Sequence, residues 1–327
     1  MSGGSGCDRS TWRVGPTAHQ GIGRPEEKVK MEIQGFGVNT VQTDGRFSSL
    51  QEQLDYLQEA GFDYLEFSLD VVETFGAGKL LPRKVDKVVQ MLQAYDFRIC
   101  AHAPVNLELG SWEERDFQSD LLQSSLELTA AIKAEFLVIH YSSNGSGTGL
   151  FEEGISRAAE QARRHGMGIG VENLPGERLD TVADVVRRLR RRSDNVHLVL
   201  DTGHEFLSSV SFGYDFIKSV EEAADCIGHF HLNDNFGLLE KKATNLEELS
   251  RSVGLLGGNF RNAVRMNLGA GDIHLPVGWG KVPFRQIIPF FKQFKGIIVL
   301  EYLHDKYREF TKEILSQTKD LFREVLE

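Results

Sequence analysis

Short apolar runs rich in Val, Ile and Phe recur along the chain, at 32–38 (EIQGFGV), 63–69 (DYLEFSL), 97–103 (FRICAHA), 136–142 (FLVIHYS), 168–174 (GIGVENL), 197–202 (HLVLDT), 227–233 (IGHFHLN) and 296–302 (GIIVLEY). Each has the length and composition of a buried strand. Most are separated by helix-length stretches whose apolar residues fall three and four apart. Leu50, Leu54 and Leu57 form one such stripe, Leu121, Leu122, Leu126 and Ile132 another, and Leu315, Leu321, Phe322 and Val325 the last. The first seven strands start about thirty to forty residues apart, the length of a strand–helix repeat. The eighth comes much later, so residues 235–271 read as an insertion after strand seven. Eight such units predict an α/β fold, a closed (β/α)8 TIM barrel forming one domain over 31–327. The rival is an open doubly wound sheet, which usually carries a glycine-rich phosphate turn after its first strand. Here Asn39-Thr40-Val41 stands in that place.

Composition adds boundaries. The 327 residues suit one barrel, and 41% hydrophobic with 26% charged residues fits a globular chain. The net charge of −10 weighs against a nucleic-acid partner, which needs clustered Lys and Arg. Cys7, Cys100 and Cys226 are too few and too scattered for a disulfide framework or a CxxC zinc site, so a reducing, cytoplasmic setting is expected. No apolar run reaches membrane-spanning length. Residues 1–30 lack apolar periodicity and are expected to be a disordered tail, an over-long start or an expression remnant, with Met31 a candidate start. The basic run Arg187 to Arg192 ends the helix after strand five. It is expected at the bottom of the barrel as a solvated helix terminus.

The strand ends carry the chemistry. In such barrels reactive groups stand at the C-terminal ends of the strands. Strand two has Glu66, strand three ends at His102 and strand four at His140. Strand five ends at Glu172 and strand six at Asp201, with His204 just beyond; strand seven carries His231 and strand eight Glu301. A charged group in a barrel wall costs several kcal/mol, of order, unless it is paired or metal-bound. Acids and imidazoles on seven strands therefore predict a shared divalent cation, of Mn, Zn, Mg, Co or Fe type. Glu172, Asp201, His231 and Glu301, from neighbouring strands five to eight, are the predicted ligands, and a four-ligand O/N set leaves positions open for substrate oxygens.

Seven segments, in order, resemble the xylose isomerase-like barrels: AHAPVNLELGS from Ala101, VIHYSS from Val138, VENLPG from Val171, LDTGH from Leu200, FHLNDN from Phe230, DIHLPVGWGKVPF from Asp272 and VLEYL from Val299. That superfamily includes ketose 3-epimerases, hydroxypyruvate and sugar-phosphate isomerases, inosose dehydratases and the endonuclease IV family. The epimerase branch implies Glu172, Asp201, His231 and Glu301 as metal ligands, with the two glutamates as acid and base. The endonuclease IV branch implies three zinc ions on His102, His140, Glu172, Asp201, His204, His231, Asp272, His274 and Glu301, and every one of these positions carries a compatible residue here.

Each candidate has a plainer reading. Asp201 can cap the following helix. His229 shares a face with His231 and is expected to pack inside the barrel. His102, His140 and His204 are either further ligands or donors to substrate hydroxyls. Asp272 and His274 either share an ion or order the loop before Pro276. Glu66 either binds a substrate hydroxyl or pairs with a loop lysine. Trp112 either stacks on a sugar or covers the rim, and Lys281 is a further candidate for substrate binding. The expected function is a divalent-metal-dependent isomerase or epimerase of a small sugar or sugar-like hydroxy-ketone, working by proton transfer through a metal-stabilised enediolate. The alternatives are a multi-zinc phosphodiesterase acting on abasic DNA and a non-catalytic sugar-binding barrel. The expected partner is a small-molecule sugar, without membrane, and a homo-oligomer is open. The insertion, with Lys241, Lys242, Arg251, Arg261 and Arg265, is a candidate lid or contact surface.

Overall fold

The computed structural model describes residues 32–111, 114–143, 148–239, 264–291 and 294–326. The tail 1–30, Trp112 and residues 240–263 of the predicted insertion lie outside them. The barrel strands are β1 (Glu32–Asn39), β2 (Tyr64–Ser68), β3 (Arg98–His102), β4 (Phe136–His140), β5 (Gly168–Glu172), β6 (Val196–Asp201), β7 (Ile227–Leu232) and β8 (Lys295–Leu300). All pair in parallel and close in the order β1-β8-β7-β6-β5-β4-β3-β2. The open-sheet rival is thereby excluded. Around them stand α1 (Phe47–Ala60), α2 (Pro82–Leu92), α3 (Arg115–Ala131), α4 (Gly149–Arg164), α5 (Leu179–Arg190), α6 (Thr202–Phe212), α7 (Phe216–Ala223), α8 (Phe284–Ile287) and α9 (Thr311–Leu326). Two features go beyond the hydrophobic pattern: a small antiparallel ribbon, Phe75–Gly76 with Lys79–Leu80, and a paired helix, α6 and α7, after one strand.

Strand alternation sorts the side chains into two cores. Outward residues such as Leu65, Phe67, Leu137, Ile139, Ile169, Val171, Leu198, Leu200, Ile298 and Leu300 meet the helices in one continuous cluster. The helical stripe of Leu50, Leu54 and Leu57 joins it fully buried, each side chain contributing about 1.5–3 kcal/mol. Inward residues Tyr64, Cys100, Ile297 and Val299, with Phe136, make a second, smaller cluster inside the barrel. Above it the last inward position of every strand is polar: Asn39, Ser68, His102, His140, Glu172, Asp201 and His231, and Glu301 one residue past β8. The basic run is structural, as its position predicts. Arg187 pairs with Asp225 at 2.5 Å, just before β7, and Arg188 with Glu152 at 2.7 Å.

The insertion leaves and re-enters at one place. Asp234 and Leu275 exchange backbone hydrogen bonds of 2.9 and 2.8 Å, and the Gly271 N–H donates to Leu238 O at 2.6 Å. The buried Asp234 carboxylate fastens the returning chain: it accepts N–H groups from Asn235, Gly278, Gly280 and Val282 at 2.8–3.0 Å. This clamp positions the DIHLPVGWG segment over the barrel mouth. Asp234→Ala leaves these donors without an acceptor, and a loss of about 3 kcal/mol or more is expected on urea denaturation. A midpoint unchanged from wild type would show that the clamp does not hold the segment.

Candidate metal centre

Barrel closure brings the predicted tetrad together. One donor atom from each of Glu172, Asp201, His231 and Glu301 lies within 4.8 Å of the others. The pairing register explains this, since Asp201 is aligned with His231, and His231 with Val299 two residues before Glu301. His231 Nδ1 stands 3.0 Å from Glu301 Oε2 and 3.4 Å from Glu172 Oε1. These three atoms are buried and have no hydrogen-bond partner. Buried polar atoms are rarely left so. An array of unpartnered carboxylate and imidazole atoms aimed at one point fits a divalent cation.

Asp201 is both a cap and a member of this tetrad. Its Oδ1 accepts the His204 N–H at 2.7 Å, at the start of α6, and its Oδ2 accepts from Asn233 Nδ2 at 2.6 Å. Asn173, next to Glu172, exchanges hydrogen bonds with the Asp201 backbone. Gly203 is required here because a methyl group in its place would collide with Asn233 Oδ1. Asn173, Asn233 and Asp234 sit inside the motifs VENLPG and FHLNDN, yet the sequence reading assigned them no role.

Two further clusters flank the tetrad. His102, His140 and Glu172 form one, and His204, Asp272 and His274 the other. Glu172 is shared: its Oε2 lies 3.1 Å from His102 Nε2 and 3.5 Å from His140 Nε2, while Oε1 faces the tetrad. Asp272 Oδ2 lies 3.2 Å from His204 Nε2 and 3.0 Å from His274 Nε2. Far-side contacts fix three of these rings. His102 Nδ1 donates to Ala103 O at 2.8 Å, His204 Nδ1 to Asn173 O at 2.9 Å and His274 Nδ1 to Glu301 O at 3.1 Å. A nitrogen that donates to a carbonyl carries hydrogen, so in the neutral ring the other nitrogen presents its lone pair to the site. His274 achieves this from a left-handed backbone, φ 46°.

The remaining candidates separate. Glu66 pairs with His231 rather than with a loop lysine: its Oε2 accepts from His231 Nε2 at 2.9 Å. His229 packs inside the barrel, as expected, 3.4 Å from the same oxygen. Lys281 is exposed and does not line the cavity above the metal centre. That cavity measures about 510 Å³ and is also bordered by Asn39, Gln42, Ser68, Asp70, Asp305 and Lys306, none of which the sequence had singled out.

The charges are strongly coupled. Burial favours the neutral form of each group, but opposite charge overrides it at most positions. Contact with Glu172 lifts His102 to about 9, and Asp272 lifts His274 to about 10. His231, beside Glu66, and His204, beside Asp201, lie well above the usual imidazole range. His231 draws Glu301 down to about 2, and Glu172 lies well below the carboxylate range. Burial prevails at Asp201, pushed up to about 7, and at His140, drawn down to about 4.

Metal-free protein thus balances its carboxylates with protonated imidazoles. Folded values for His102 and His274 are raised above the unfolded value of about 6.5, so their contribution to stability is complete below that pH. It is lost as the pH rises through about 9 to 10. The melting temperature of metal-free protein is expected to fall over this range. At pH near 7, divalent-ion binding is expected to release protons, because ligating imidazoles must be neutral. Titration calorimetry in buffers of different ionisation enthalpy checks this, and buffer-independent heats contradict it.

Comparison with known proteins agrees with this architecture. A curated inosose dehydratase from Erwinia tasmaniensis is 33% identical over 85 residues, which cover 26% of this chain and only about a quarter, 28%, of that protein. A D-tagatose 3-epimerase-like protein superposes with a TM-score of 0.60 at 20% identity, over 90% of this chain and 100% of that one. D-psicose 3-epimerase with D-tagatose, from Clostridium cellulolyticum, gives 0.59 at 13% identity, over 90% and 99%. The IolI protein with a binding zinc atom gives 0.58 at 14% identity, over 89% and 98%. These structural likenesses show the shared fold. The model of the xylose isomerase-like TIM barrel family matches residues 54–326, and the chain belongs to that family.

Proposed function

We propose that the chain is a divalent-metal-dependent isomerase or epimerase of a small sugar or sugar-like hydroxy-ketone. The observation that carries this reading is the tetrad at the floor of the cavity, where two glutamates flank one point of convergence. The epimerases among the structural neighbours and the inosose dehydratase relative support the substrate class. A cavity of about 510 Å³ suits one small molecule. Beside its imidazoles the lining carries six carboxylates, with Lys306 the one Lys or Arg among the described lining residues, unlike the clustered Lys and Arg that meet a nucleic-acid backbone.

A divalent ion held by Glu172, Asp201, His231 and Glu301 would supply electrophilic stabilisation of charge developing on a substrate oxygen. The protein's own part is proton handling. Glu301, with 15% of its side chain exposed, opens to the cavity, whereas Glu172 is buried at 1%. One carboxylate removes the proton α to the carbonyl; the other, ionised at rest, first takes a proton, which for Glu172 the protonated His102 beside it can supply, and delivers it to the neighbouring carbon or the opposite face. His102 and His140 beside Glu172, and His204 and His274 beside Asp272, orient these carboxylates. Glu172→Gln and Glu301→Gln are each expected to lower turnover about a thousandfold on a substrate found in a panel of ketoses and inososes. Full turnover by both variants would sink this mechanism.

A second reading has its own observation. Three ligand clusters share one mouth and Glu172 belongs to two of them, an arrangement able to hold several ions around a phosphodiester. Metal analysis of protein purified without chelator separates the two. The isomerase reading expects about one tightly held ion per chain. Three zinc ions together with cleavage of abasic DNA would replace it with the phosphodiesterase.

A further inference from the structure

We propose that Glu66 is a positioning residue for the metal centre: its buried carboxylate, from below the mouth, holds His231 so that Nδ1 faces the ion surrounded by Glu172, Asp201 and Glu301. The inference rests on the metal-dependent reading above and assigns Glu66 a place within it.

The geometry argues for this role. Three other imidazoles at the mouth are tied by main-chain carbonyls of Ala103, Asn173 and Glu301. Their orientation is therefore set by the fold itself. His231 instead relies on a side chain, at 2.9 Å from Glu66 Oε2. Glu66 lies on β2 and His231 on β7, which are not neighbours in the ring, so the contact spans the barrel interior. His229, two residues before His231 on the same strand, lies 3.4 Å from the same oxygen without hydrogen-bonding to it. Glu66 borders the cavity but is 1% exposed, and its Oε2 is engaged by His231. A carboxylate that accepts the far N–H of a ligating imidazole fixes its tautomer and raises its basicity, and losing such a partner typically weakens metal binding ten- to a hundredfold, roughly.

One competing arrangement uses the same atoms. Glu66, Cys100 and His229 also lie within 4.8 Å of one another, and Glu66 Oε1 and both ring nitrogens of His229 are buried without hydrogen-bond partners. If these residues held an ion themselves, Glu66 would be a ligand.

The test compares wild type, Glu66→Leu and Glu66→Gln by competition of Zn(II) and Co(II) against a chromogenic chelator, alongside the melting temperature of each metal-free protein. Glu66→Leu is expected to bind about ten- to a hundredfold more weakly, with a lowered metal-free melting temperature as well, because His231 Nε2 is left buried without its acceptor. Glu66→Gln keeps an acceptor for His231 Nε2 and is expected to fall between the two. A packing role alone predicts the lowered metal-free melting temperature with unchanged affinity, so the affinity is the deciding readout. Affinities within about twofold of wild type for Leu overturn the proposal, as they do for Gln should Leu fail to fold. Among the described residues, the three clusters at the mouth offer oxygen and nitrogen donors only. A thiolate-to-cobalt charge-transfer band that disappears in Cys100→Ala would therefore place an ion on Cys100 and also overturn it. Wild type that binds no divalent ion sinks the metal reading and this inference together. Normal wild-type binding with unaltered variants sinks this inference alone.

Discussion

Closing eight strands into a ring forces the last inward side chain of each onto a common axis. In an open sheet Glu66 and His231 would lie on strands that never meet. In the ring they are 2.9 Å apart. Below the mouth the axis is filled by Tyr64, Cys100, Ile297 and Val299, so the polar groups above have little water on one side. In that setting charges are expensive unless matched. The carboxylates therefore draw protons onto His102, His204, His231 and His274, and the imidazoles hold Glu172 and Glu301 ionised. The chemistry at the mouth follows from ring closure applied to polar residues at strand ends.

The short apolar runs and the repeat length made the strands legible in the sequence, and all eight predicted segments overlap the barrel strands. Residues at strand ends were legible because polar groups that close apolar runs stand out. What the pattern could not carry was reach across the ring. Glu66 reads from the sequence as a residue for substrate or lysine, because nothing in a linear chain places β2 opposite β7. Lys281 follows two glycine-rich positions near the mouth, yet its own side chain points to solvent while its backbone N–H binds Asn235 O at 2.8 Å. Asp201 was posed as either cap or ligand, alternatives that the structure does not force apart. One carboxylate can serve a helix N-terminus through one lone pair and face a cation with another.

Ring orientation is a second property invisible to spacing. Which nitrogen of His102, His204 or His274 looks inward depends on a main-chain carbonyl, and any residue could supply that carbonyl. The sequence therefore names the imidazole but not the atom. Asp234 is similar: its identity matters only because the returning chain offers backbone N–H groups at the right distance. Side chains that serve backbone groups define the site's shape, while those that serve side chains define its charge.

The sharing of Glu172 links the choice of chemistry to the occupant of the neighbouring cluster. Its Oε1 belongs to the tetrad, and its Oε2 faces His102 and His140. His102 Nδ1 is committed to Ala103 O, so a hydrogen bond from Nε2 to Glu172 requires the ring to be protonated, consistent with its value near 9. A proton there leaves Glu172 a carboxylate with one oxygen partly free for acid–base work. A cation in the same place would be held by His102, His140 and Glu172 and would take up the glutamate oxygen that faces them, depriving it of that role. The same nine residues of the three mouth clusters can thus support proton transfer or a multinuclear electrophilic site. Whether His102 keeps its proton or yields to an ion is what distinguishes the two arrangements.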